Sequence, residues 1–389
     1  MPSDDVDVAP DVLVWARESM GLSREEAAKK LRMTSLSLQF LEEGVGDVSM
    51  PRLRRMSEVY DRPLVAFFLR EPPPGVDELP DFRQTPDSFG KPWSPRLHEA
   101  YRRVMGQREV ALELAELDDE PLPDIDFVVW LDDDPEDVGD NLRMWLDASG
   151  RPPGIPGPYD VFNTWVRQIE DRDVLVTQVT GIDTEEMRGF SIGERPLPAI
   201  AINSGDAIRG KTFTLMHELA HVLLRRSALC DLEDAAAAPD QATQNLEWFC
   251  NAVAAAVLMP RDAVLREPLV GRSSEESSWS DDDLLYLAGR FGVSAEAMLL
   301  RLVTLERASR DFYRDRRQHF LRQYGEQREQ QAGFITYYNK QIRNLGRRYI
   351  HTVLDAYNRD DITDADLSRY LGMKLKNVPT LVETLGTER

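Results

Sequence analysis

The sequence predicts a predominantly helical α+β chain: a five-helix N-terminal domain, a mixed domain with a small sheet, and a helical C-terminal extension. Three observations carry this expectation. Apolar residues recur at helical spacing through most of the 389 residues. Strand-like alternation is confined to one stretch, 174–202. Two proline-rich runs, 71–95 and 151–158, interrupt both patterns. The resulting divisions are 8–70 for the first domain, 71–95 for a linker, 96–310 for the mixed domain and 311–389 for the extension.

In the first domain short helices are expected over Val12 to Met20, Ser23 to Leu31, Ser35 to Glu43, Pro51 to Tyr60 and Leu64 to Leu69. Ser23 with Glu26 forms a capping box, in which each residue satisfies an unpaired N–H of the other at the helix start. Ala27, Leu31, Leu36 and Leu41 supply inward positions, and the short connection through Met33 and Thr34 suits a helix-turn-helix. Beyond the linker a patterned helix is expected over Pro95 to Leu117 and another over Tyr159 to Asp171. Strands follow over Val174 to Val179, Gly189 to Gly193 and Leu197 to Ile202, the last read as an edge strand because Pro198 lacks an N–H. The polar turn Asn203-Ser204-Gly205-Asp206 leads into a helix over Lys211 to Leu224. Helices over Gln241 to Leu258, Asp281 to Phe291 under a Ser280 cap, and a longer one from Ala295 under a Ser294 cap come next. Thr363 opens a late helix over Leu367 to Leu371.

A formal charge of −21 opposes non-specific adhesion to nucleic acid or anionic lipid. Against it, residues 301–350 carry twelve Arg or Lys and five Asp or Glu, with Tyr313, Phe320, Tyr324, Tyr337 and Tyr338 interleaved. That segment reads as a partner-binding surface or as a helix pair with a solvated basic face. Only Cys230 and Cys250 occur, and neither a signal segment nor an apolar run of membrane-spanning length is present, so a cytoplasmic location without membrane contact is expected.

The chemistry centres on His217-Glu218-Leu219-Ala220-His221. Two imidazoles four residues apart lie on one helix face and can grip a single zinc ion, Zn2+, with Glu218 placed to activate a water. A catalytic zinc needs a third protein ligand. Glu247 is the best candidate, since it sits on the next expected helix and a rigid element holds coordination geometry. Asp231, Glu233 and Asp234 are also near, in a loop that would hold them less firmly. Asn251, one turn after Glu247, is placed either to orient a ligand His or to make a polar helix contact. Cys250 reads as core packing rather than ligation. The strand over Leu197 to Ile202 could pair with an extended substrate along its edge. His98, His319 and His351 carry no pattern that assigns them chemistry.

These residues resemble the ImmA/IrrE-type zinc metallopeptidases fused to an N-terminal XRE-type helix-turn-helix. The likeness rests on Ile200 to Asn203, Arg209, Phe213 to His221, Glu247 to Asn251, Ala254-Ala255 and Leu258-Met259-Pro260. In the first domain it rests on Gly21-Leu22-Ser23, Glu26-Ala27-Ala28 and Arg62-Pro63-Leu64 ahead of Phe67-Phe68-Leu69. The resemblance implies a zincin-like fold, zinc held by His217, His221 and Glu247, Glu218 as general base, and cleavage of a repressor that controls stress-response or mobile-element genes. Longer relatives with a C-terminal extension imply a toxin-antitoxin or defence locus, with a toxin as the partner.

One departure stands out. The recognition helix, Ser35 to Glu43, has no Arg or Lys, and residues 1–75 hold ten basic against thirteen acidic side chains. Ser37 and Gln39, with Ser35 at the helix start, are what it offers to base edges. Phosphate contacts would come from Arg32, Arg52, Arg54 and Arg55. Operator DNA and a docking partner are therefore both open for this domain, and a homodimer would double a weak DNA footprint. Two functions remain in competition. One is a regulatory zinc endopeptidase acting on a repressor or other protein. The other is a non-catalytic regulator or antitoxin that uses the same fold as a partner-binding scaffold.

Overall fold

In the computed structural model the described residues are 5–6, 8–73, 93–117, 125–148, 157–226, 228–230, 241–273, 278–317, 320 and 336–387. Most of the 71–95 stretch lies outside them, as do His319, Tyr324 and the loop with Asp231, Glu233 and Asp234. Two units result. One contains the described residues up to 73 together with 93–103, and the other contains 104–387. The division falls inside a helix, Pro95–Glu116, rather than at the end of the proline run. Residues 336–387 belong to the second unit instead of standing apart.

In the first unit four α-helices form: α1 (Pro10–Glu18), α2 (Arg24–Leu31), α3 (Ser35–Glu42) and α4 (Met50–Val59). The Ser23–Glu26 capping box is present, and Thr34 accepts from Ser37 N to start α3. The fifth expected helix is a single 3-10 turn, Leu64–Phe68, because Pro63 opens a segment with room only for i to i+3 bonds such as Ala66 N–H to Pro63 C=O at 2.9 Å. A two-residue antiparallel pair, β1 (Asp5–Val6) with β2 (Val48–Ser49), was not expected. Leu36 does not point inward. It is 58% exposed, while Leu38, Leu41 and Glu42 face the core, the three-and-four spacing that the Thr34 cap imposes on α3. Leu13, Leu38, Leu53, Met56 and Phe67 close that core, and buried Glu42 receives Arg17 at 2.6 Å and Arg24 at 2.9 Å.

The second unit is organised by a four-stranded sheet of β3 (Leu175–Val179), β4 (Gly189–Ile192), β5 (Ala199–Asn203) and β6 (Ala228–Cys230), in the order β3-β5-β4-β6. β3 and β5 are parallel, with Val176 opposite Ile200. β4 runs antiparallel to β5 and to β6. The expected edge strand is therefore internal. β5 is hydrogen-bonded on both sides, every one of its residues is buried, and Pro198 lies before it, offering its C=O to Leu175 N at 2.8 Å. No substrate can add to β5. A strand buried on both faces and both edges reads as the near-continuous apolar run Ala-Ile-Ala-Ile, which period-two reasoning cannot distinguish from an edge.

At the end of β5, Asn203 holds the turn into the next helix. Its Nδ2 donates to Ile182 O (3.0 Å) and Met187 O (2.8 Å), and its Oδ1 accepts from Gly205 N (2.9 Å). Helix α8 (Ile208–Leu223) then crosses the sheet and packs against α9 (Gln241–Leu258) and α7 (Pro158–Glu170). α6 (Pro135–Trp145), absent from the sequence reading, lies on the far side of α9. The helix from Ala295 ends at Thr304, shorter than expected. Arg301 on it ties Met259 O (2.9 Å) to Glu136 (2.7 Å).

A C-terminal helix, Tyr337–Leu345, covers β3. Arg343 donates twice to Gln178 Oε1 (3.1 and 2.6 Å), and Thr177 Oγ1 donates to Asn344 O. Gly346 follows at φ +83°, where a Cβ would sit 2.5 Å from Val176 O, so only glycine fits. Thr363 caps Asp364–Tyr370 as expected. No helix among the described residues is long and apolar enough to cross a membrane.

Candidate metal centre

α8 and α9 meet where the sequence placed the metal chemistry. His217 and His221 lie on one face of α8, one turn apart, and Glu247 projects from α9 between them. His217 Nε2 and His221 Nε2 are 3.1 Å apart, His217 Nε2 is 3.2 Å from Glu247 Oε2, and His221 Nε2 is 3.2 Å from Glu247 Oε1. Zinc at about 2.0–2.1 Å from tetrahedral ligands puts those ligands about 3.3 Å apart, so these separations are of the size that ion needs. Among the described residues this is the one group of three such side chains close enough to share a metal.

Asn251 Oδ1 lies 3.0 Å from His217 Nδ1. An amide oxygen accepts, so Nδ1 carries the proton and the Nε2 lone pair is left for a metal. Cys250 is fully buried in the apolar core, and burial pushes its thiol well above its ordinary value, consistent with packing.

Electrostatics separate the two carboxylates. Burial would raise both. Glu247 is nevertheless held down at about 2 by the two imidazoles it touches. Glu218 stays raised because burial outweighs the more distant histidines. Burial lowers His217, but Glu247 and Glu218 more than offset it, and its net shift is upward. The two carboxyls are thus driven apart, Glu247 toward its anion and Glu218 toward its protonated form. His217, Glu218 and His221 are 0% exposed and Glu247 is 1% exposed, which closes the centre to bulk water in this conformation.

Two residues that the sequence reading treated only as strand complete the site. Gly189 on β4 lies against α8, where a Cβ would fall 2.6 Å from Thr214 Cγ2 and 2.9 Å from Glu218 Oε1. Ser191 is fully buried on the same strand. An isolated glycine inside a strand pattern is a sign of close backbone approach, and Gly189 carried that signal.

The residues expected to meet DNA do not converge in this way. Ser35 Oγ donates to Glu25 (3.3 Å), Ser37 pairs with Thr34 (2.7 Å), and Gln39 donates to Glu43 (2.7 Å). Arg55 is engaged by Lys30 O (3.0 Å), whereas Arg32, Arg52 and Arg54 are exposed. His98 is half-buried against Trp93 and pushed down to about 4 by that burial and the nearby Arg102 and Arg62, while His351 is exposed.

Comparison with known proteins agrees with this division. Residues 171–303, which contain all four residues of the centre, match the peptidase family described as the IrrE N-terminal-like domain. Residues 13–67 match a helix-turn-helix family. The chain is also 32% identical over 150 residues to the radiation response metalloprotease IrrE of Deinococcus radiodurans. That stretch is 37% of this chain and spans 44% of the length of the relative. The chain is thus similar to a helix-turn-helix family over its first stretch and to a peptidase family over a later one.

Proposed function

With an IrrE-like domain around this centre and a helix-turn-helix ahead of it, we propose that the chain is a regulatory zinc-dependent endopeptidase. Its substrate is a repressor or other partner protein, and cleavage is coupled to DNA binding and control of a stress, mobile-element or toxin-antitoxin locus. The observation that carries the reading is the convergence of His217, His221 and Glu247 at metal-ligand separations, with Glu218 enclosed beside them. A relative described as a radiation response metalloprotease supports the stress setting, and a chain of this kind works in the cytoplasm.

Bound zinc would polarise the scissile carbonyl and acidify water. Glu218 accepts the proton of the attacking water and delivers it to the leaving amine, a transfer suited to a carboxyl whose affinity for protons burial has increased. Asn251 holds His217 in the tautomer that presents Nε2. Glu247 stays ionised throughout.

The test is zinc content and cleavage of the repressors encoded beside this gene, in wild type and Glu218→Gln. Full zinc with cleavage lost in the variant is expected; cleavage that survives Glu218→Gln removes the general base from the scheme. A second reading, a non-catalytic regulator or antitoxin with zinc as a structural element, draws support from the complete burial of the centre. It predicts partner binding and operator control unchanged in Glu218→Gln, with no cleavage by either protein.

A further inference from the structure

β4 faces the active-site helix with alternate residues. Gly189 points its missing side chain at Thr214 and Glu218, and strand periodicity puts Ser191, two residues on, on the same face, with Phe190 and Ile192 on the other. Ser191 is 0% exposed, and its hydroxyl makes no hydrogen bond in this structure. Glu218 is equally buried, and neither of its oxygens accepts one. A buried hydroxyl and a buried carboxylate left without partners, on facing surfaces of a strand and a helix, can satisfy each other. Gly189 sets the separation, since any side chain there would push Glu218 off the strand.

We propose that Ser191 is a positioning residue whose hydroxyl donates to the Glu218 carboxylate and fixes its orientation beside the metal centre, with Gly189 providing the close approach of β4 to α8. The proposal rests on Glu218 being the general base. Its test, however, is read without turnover. In full-length, zinc-loaded protein labelled with carboxyl-13C glutamate, the Glu218 signal is the one lost in Glu218→Gln. In Ser191→Ala that signal moves, while zinc content stays at the wild-type level because Ser191 touches no ligand. In Ser191→Thr, which keeps the hydroxyl, the signal returns to the wild-type position. A Glu218 signal that is the same in Ser191→Ala and wild type overturns the proposal, as does a displacement that Ser191→Thr fails to restore.

Fluorescently labelled casein serves as a generic substrate. If wild type cleaves it, Ser191→Ala lowers kcat about tenfold and leaves KM within about twofold, the pattern of a group that acts in the transition state. Wild type that leaves casein intact counts against the peptidase reading and leaves the carboxyl signal to decide the role of Ser191.

Discussion

The helix that carries the histidines and the second helix of the helix-turn-helix treat their polar side chains in opposite ways. On α8, His217, Glu218 and His221 are fully buried and converge on Glu247 from α9. On α3, Ser35, Ser37 and Gln39 lie at the surface, each already bonded to a neighbour within its own domain, while Leu36 and Phe40 are exposed between them. Burying ionisable groups is costly unless they serve each other or a ligand, so convergence in a core is a strong sign of function. Polar groups at a surface cost little wherever they sit, and their pattern carries correspondingly less.

The sharpest way to break this contrast is at Glu247. Glu247→Ala removes the anion between two buried imidazoles. Zinc content should fall more than about tenfold, and the metal-free protein should lose about 3 kcal/mol, as when one partner of a buried pair is removed. Metal analysis with urea unfolding checks both, and retained zinc would mean another carboxylate serves as ligand. The first unit has one buried cluster of the same kind: Glu42 between Arg17 and Arg24. Glu42→Ala should cost that unit about 3 kcal/mol by the same mechanism and leave zinc unchanged.

Glu170 tests burial without function. Burial raises it to about 8 from 4.5, opposed by the backbone N–H of Arg348. Between those values the folded state binds the proton more tightly than the unfolded chain does. The contribution of this group is therefore complete below about pH 4.5 and lost as pH rises through about 8. Glu170→Gln should flatten the decline in stability from pH 5 to pH 9. Denaturant midpoints across that range report it, and an unchanged slope would show that Glu170 is already ionised when folded.

The smallest effects belong to α3 and its surroundings. Leu36→Ala should shift stability by no more than about 0.5 kcal/mol, since the residue is exposed. With operator DNA as the ligand, Arg52→Ala combined with Arg54→Ala should reduce the salt slope of binding by about two and leave sequence preference intact. An unaltered slope would make this surface a protein-docking face.

Legibility followed the same division. α9 matches its expected limits, Gln241 to Leu258, because its apolar stripe and the closing Met259-Pro260 are both local signals. The capping box at Ser23 was legible for the same reason, as were the cap at Ser280 and the helix opening at Thr363, all three being bonds between residues three apart. Leu36 misled because a short helix with apolar residues on two sides does not say which side is covered. α6 was missed although Asp134, Pro135 and Glu136 are ordinary helix-start residues, because an acidic run obscures its inward stripe of Val138, Gly139 and Leu142.

By itself the sequence determined the helix-turn-helix head, the pair of histidines on one helix face and the glutamate between them, because helical periodicity and ligand spacing are properties of a few consecutive residues. Only the tertiary structure decided which strand is an edge, what covers β3, and that Gly189 lies against Glu218. Strand order and the approach of a sheet to a helix are contacts between residues distant in the chain. An Ala-Ile-Ala-Ile strand carries the same local pattern at the centre of a sheet as at its rim.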